Sequence, residues 1–115
     1  MDIKIIEDGI AKAELVRIAE KQFGDFVKAV VDVERSIMAI GGELHADMEA
    51  LLIEDGSRQA HLWGINLYPA KAGPEWLEFN SMINVRPSQG NPSRGVEDPS
   101  IRARIVEVVS KLVTP

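Results

Sequence analysis

Between residues 11 and 33 the spacing of apolar side chains changes from helical to extended, and that change excludes most fold classes. Leu15, Ile18, Ala19 and Phe23 recur at steps of three and four, with Lys, Glu and Arg between them. This is the pattern of a helix over about 11–23 with one buried stripe. From Val27 the step becomes two: Val27, Ala29, Val31 and Val33 alternate with Lys28 and Asp32. A β-branched run of period two is a strand. A chain that makes both within so short a stretch has to pack a helix against a sheet.

The remaining segments extend that frame. Ile3 to Ile6 reads as a short starting or edge strand, and Gly24 as the stop of the first helix. Its start lacks a cap, because Ala11 has no oxygen to complete a capping box with Glu14. Ile37 to Ile40 forms the second arm of a hairpin across Glu34-Arg35, closed by Gly41-Gly42.

Residues 43–54 fit two templates. Leu44, Ala46, Met48, Ala50 and Leu52 alternate as in a strand, while Leu44, Met48, Leu51 and Leu52 also form a helical stripe of good helix formers. The turn signal Asp55-Gly56-Ser57, followed by the β-like run Leu62 to Tyr68, decides for a strand. Leu77, Phe79, Ile83 and Val85 then mark a longer strand. Asp98 is a good N-cap with Pro99 at the first helical position, and Ile101, Ile105, Val108, Val109 and Leu112 supply a buried stripe. The expected order is β-α-β-β-β-β-β-α. It describes a two-layer α+β domain, an antiparallel-rich sheet of about six strands with two helices on one face.

With 115 residues the chain has room for one domain, residues 1–115. It has no cysteine, so disulfides and thiolate metal sites are excluded. MDIKIIEDG lacks the basic and apolar regions of a signal peptide, and no apolar run is long enough to cross a membrane. A cytoplasmic location is the expectation. The net charge is −5, and between Arg35 and Arg58 five acids occur with no Lys or Arg. Without a basic stripe, nucleic acid is a poor partner.

Three surfaces carry candidate chemistry. The loop Arg86 to Asp98, RPSQGNPSRGVED, joins two guanidinium groups to amides and hydroxyls just before a helix. Arg86 and Arg94 suit a carboxylate or phosphate, with Ser88, Gln89 and Asn91 as orienting hydrogen bonders. Glu97 and Asp98 would already satisfy the helix start, so the arginines must hold any anion. The bland reading is a loop tied down by its own hydrogen bonds. The second surface is Glu43, His45, Asp47 and Glu49, which on a strand would project from one face about 7 Å apart. One imidazole with carboxylates suits a divalent cation or acid–base chemistry, although any solvated strand face alternates this way. The third is the run Leu62 to Pro69, where Trp63 or Tyr68 would line a pocket with the loop arginines, and Asn66 and the later Asn84 would bind there or, more conservatively, all belong to the core with the asparagines partnered. Neither a Gly-x-Ser-x-Gly elbow, a phosphate-binding P-loop nor a dinucleotide fingerprint occurs, and no catalytic residue can be assigned.

The strings GGELHAD, EDGSRQ, LWGINLYP and INVRPSQGNPSRGVEDP resemble a family of short prokaryotic proteins known as a domain of unknown function. The likeness covers nearly the whole chain and is most specific in the last two strings. It implies a stand-alone single-domain protein and brings no activity, cofactor or catalytic residue. Such proteins look like they place a Ser at the first helix cap, where this chain has Ala11. The leading functional expectation is a binding module for an anionic small molecule or a partner's acidic group. The rivals are a metal-assisted hydrolase using the 43–49 face and a homo-oligomeric interaction domain.

Overall fold

A computed structural model of the chain describes residues 2–115. Five strands form one antiparallel sheet: β1 (Lys4–Ile6), β3 (Val27–Asp32), β4 (Ile37–Ile40), β5 (Leu62–Leu67) and β6 (Leu77–Glu78), in the order β1-β4-β3-β5-β6. A separate parallel pair joins β2 (Ile10–Ala11) to β7 (Val113–Thr114), so the segment that leads into α1 is hydrogen-bonded to the segment that follows α3. The helices are α1 (Lys12–Lys21), α2 (His45–Glu54) and α3 (Pro99–Leu112). The α+β class and the antiparallel sheet follow the expectation from hydrophobic spacing.

Helices cover both faces of the sheet. On one face α1 contributes Leu15 and Ala19, and α3 contributes Ile105, Val108, Val109 and Leu112. They pack on Val27, Ala29 and Val31 of β3, Met38 and Ile40 of β4, and Trp63, Ile65 and Leu67 of β5. On the other face Met48 and Leu52 of α2 pack on Val30, Ile37, Ala39 and Leu62. Alternate residues of the same strands therefore feed two cores, as the two-residue repeat of a strand requires.

The segment 43–54 is thus corrected from strand to helix. Its burial decides the matter: Ala46 and Ala50, which strand alternation would place inside with Met48, are exposed, and Leu44 is 56% exposed. What is buried is His45, Met48 and Leu52 at steps of three and four. The apolar second face of the sheet needs this cover, since an open sheet cannot leave Val30, Ile37, Ala39 and Leu62 in water without losing their burial.

The expected strand over 77–85 is real only at Leu77–Glu78, after which the chain leaves the ladder. Ser81 and Asn84 take over from it. The Asn84 side chain accepts from the Gly64 N–H at 2.8 Å and donates to the Gly64 carbonyl at 3.0 Å. One side-chain amide supplies both bonds that a neighbouring strand would make. Ser81 packs so closely that a Cβ on Gly64 would lie 2.5 Å from the Ser81 Cβ. Only glycine fits at that point of β5.

Candidate functional site

The loop from Arg86 to Asp98 is held by Asn91 within it and by Asn84 just before it. A backbone bridge closes its base, Arg86 N–H to Asn91 carbonyl at 2.6 Å and Asn91 N–H to Arg86 carbonyl at 3.0 Å. Between them Pro87–Gln89 make a 3-10 turn that ends on Gly90, whose φ of 77° suits glycine. The buried Asn91 amide donates to the carbonyls of Asn84, at 2.7 Å, and Gly95, at 2.9 Å, and accepts from the Glu97 N–H at 2.8 Å. Asp98 caps α3 through the Ser100 N–H at 2.8 Å, with Pro99 following it, as its sequence indicates.

Arg86 is consumed inside the protein. Its Nε donates to the Ile83 carbonyl at 3.0 Å and one terminal nitrogen to the Leu62 carbonyl. The same nitrogen lies 3.6 Å from the Glu49 carboxylate, and the guanidinium stacks 4.8 Å from the centre of the Trp63 ring. Arg86 is 9% exposed. It ties the edge of β5 to α2, and burial holds its pKa down against the pull of Glu49. Trp63, Asn84 and Asn91 are likewise buried. Asn66, also buried, donates to the Glu78 carboxylate at 2.8 Å. Ser88, Gln89 and Arg94 remain at the surface; Gln89 reaches the Ala60 carbonyl at 3.4 Å and Arg94 bonds Asn80 through Nε at 2.8 Å. The structure does not bring the two loop arginines to one open site.

The helical geometry of α2 also disperses the four residues considered for a metal. His45 turns inward, its Nε2–H donating to the Ile65 carbonyl at 2.8 Å, and Glu49 faces Arg86. Glu43 and Asp47 point to solvent. Among the described residues no group of three His, Cys, Asp or Glu side chains is placed to hold a metal. Burial depresses the His45 pKa first of all, and the charges of Lys28 and Arg94 add to that, against the opposing hydrogen bond to Ile65.

The concave feature with converging charge lies elsewhere, between α1 and the β1–β4 edge. It is a cavity of about 360 Å³, within the size range of small-molecule sites. Lys4 of β1 and Arg17 and Lys21 of α1 line it, with Asp2 and Glu14 as the acids and Ile18 as an apolar wall. The helix places these groups by its period: Glu14, Arg17 and Lys21 fall on one flank, beside the buried stripe of Leu15 and Ala19. Gly41 shapes the floor. Its φ is 93°, and a Cβ there would meet the Asp2 carbonyl at 2.6 Å. The Gln22 amide donates to the Gly41 carbonyl at 2.7 Å and so pins the end of α1 to the end of β4.

Within this cleft Arg17 holds Glu14 through Nε at 2.9 Å and Nη2 at 2.5 Å, and Lys4 stands 3.6 Å from the same carboxylate. The Arg17 hydrogen bond and charge, reinforced by Lys4, keep the Glu14 pKa below the usual carboxylate value. Lys21 makes no hydrogen bond or ion pair among the described residues. Sequence reading missed these groups because i,i+3 and i,i+4 charges on a helix also describe an ordinary solvated flank; only the position of β1 across from α1 makes them a wall. A second depression of about 530 Å³ near the C-terminus carries one charged side chain, Lys12, already 5.7 Å over the Trp76 ring.

No helix among the described residues is long and apolar enough to cross a membrane. Among curated proteins and solved structures, none matches the chain. A family model does, over residues 4–112, a span that takes in the five-stranded sheet, all three helices and every cleft residue except Asp2; the chain belongs to the family described as protein of unknown function DUF5674.

Proposed function

We propose that this protein is a binding domain for a small anionic ligand and that the ligand enters the cleft between α1 and the β1–β4 edge. The observation that carries this reading is the charge of the cavity wall. Three cations face a concavity that contains two carboxylates, in a chain whose net charge is −5. The two carboxylates leave one cation in excess, and an acidic protein has little reason to gather an excess of positive charge in a hollow unless a counter-ion relieves it. Lys21 is the group left over, and the Arg17 guanidinium offers the forked geometry that suits carboxylate and phosphate.

The cations available to an anion stand on α1 and β1 and not on the 86–98 loop. The loop arginine that was its first anchor, Arg86, has a structural role that explains its burial without a ligand. The test is thermal unfolding in phosphate and in citrate, against chloride at matched ionic strength. Ligand at a hundred times its Kd stabilises by about 2.7 kcal/mol. Wild type should show the shift and Lys21→Glu should lose it. A shift that survives both Lys21→Glu and Lys4→Glu sinks this reading, as does a flat response of the wild type to both anions.

A further inference from the structure

Glu14 is the acid that the cations of the cleft already hold. Its carboxylate is gripped from two elements at once, by Arg17 on its own helix and by Lys4 on β1, and all three side chains line the cavity. Both contacts of Arg17 go to one carboxylate oxygen, Oε2. The Glu14 side chain is 29% exposed and that of Lys4 52%, so solvent and ligand can reach the cluster. The third cation, Lys21, stands one helical turn beyond Arg17 on the same flank and has no partner among the described residues.

We infer that Glu14 is a tethered competitor for the ligand's acidic group: a carboxylate or phosphate bound first by Lys21 displaces it from Arg17 and Lys4. The inference rests on the anion-binding reading of this cleft and adds to it the ligand chemistry and a control on affinity. An exposed ion pair holds its partners weakly, so the exchange is energetically accessible. The displaced Glu14 side chain returns to water, while Arg17 keeps its two donors paired on the incoming oxygen. The site would thus discriminate by charge density. A monovalent anion meets Lys21 alone, whereas an acid with two negative oxygens exchanges for Glu14 as well.

Phosphate binding to the full chain, measured by calorimetry at constant ionic strength, tests the exchange. Glu14→Gln should bind about two- to fivefold tighter than wild type, the gain that corresponds to releasing an exposed ion pair. Glu20→Gln removes the same charge from α1 at an exposed position outside the cleft and should leave the affinity unchanged. Equal tightening in both variants reduces the effect to net charge and overturns the inference. So does wild-type binding that Glu14→Gln leaves unchanged or weakens, although the cleft would then still be the site. No binding by wild type removes the reading of the site itself. The Nε–H resonance of Arg17 gives a second view that needs no variant. It should move on phosphate saturation as its acceptor changes, and a resonance that stays fixed while phosphate binds contradicts the exchange.

Discussion

Arg86 and Glu49 meet at 3.6 Å in a place where neither can return to water without moving α2 off the sheet edge. Two atoms of the pair, Arg86 Nη1 and Glu49 Oε2, are buried without a hydrogen bond. Removing one partner of a buried ion pair strands the other, whereas removing both does not. Arg86→Met should therefore cost about 3 kcal/mol in urea unfolding, and the double change Arg86→Met with Glu49→Met should recover much of it. A loss below about 0.5 kcal/mol for the single variant, typical of a surface position, would show that the guanidinium is not part of the structural frame. His45 makes a different demand. Burial lowers its pKa, with Lys28 and Arg94 adding to the effect, so the unfolded chain takes up the proton at a higher pH than the folded one. Its contribution is complete above the ordinary imidazole value near pH 6.5 and is lost as pH falls below it toward the depressed value. His45→Gln, which keeps a donor for the Ile65 carbonyl, should flatten the fall in stability below about pH 6.5. An unchanged slope would locate that titration elsewhere.

At the scale of elements, the helix ends show how much a single side chain supplies. α3 starts on Asp98, which caps it, while α1 starts on Ala11, whose extended φ of −72° and ψ of 142° already suit a cap but whose methyl group accepts nothing. Ala11→Ser should stabilise the protein by about 1 kcal/mol, a gain readable as a rise of about 4 °C in Tm. No rise, or a fall, would mean that the exposed N–H groups of α1 already have partners. These caps were legible in the residues themselves, as were α1, α3, the hairpin of β3 and β4, and β5. The helix α2 was not. Leu44 and the alanines at 46 and 50 mimic alternation, and local spacing gives no sign that they stay in solvent. The clue lay in the neighbours: IMAI of β4 and LWGINL of β5 are buried at every position. A strand with no polar face needs cover on both sides, so a second helical layer was implied by β4 and β5 rather than by residues 43–54.

The fold is a five-stranded sheet clamped between a pair of helices and a single helix, with the start of α1 and the end of α3 joined through β2 and β7. The long polar loop that dominates the C-terminal third completes the edge of that sheet. Asn84 substitutes for a missing strand and Asn91 ties the loop to it. A loop rich in Arg, Asn and Ser has the composition of a ligand site and of an edge closure alike, because both need many donors. The count of backbone groups left without a strand partner separates the two, and it exists only once β6 is seen to end at Glu78. The cleft was hidden for the complementary reason. Lys4 is far from Lys21 in the chain, and the first helix must pack back on the first strand before they share a wall. That wall is the feature on which an anion-binding function depends. The most direct test is a titration of isotopically labelled protein with inorganic phosphate, followed by amide and side-chain NMR shifts. Shifts that saturate together at Lys4, Glu14, Arg17 and Lys21 are the expected result. Shifts gathered around Lys28 and Arg94, with the cleft silent, would contradict it.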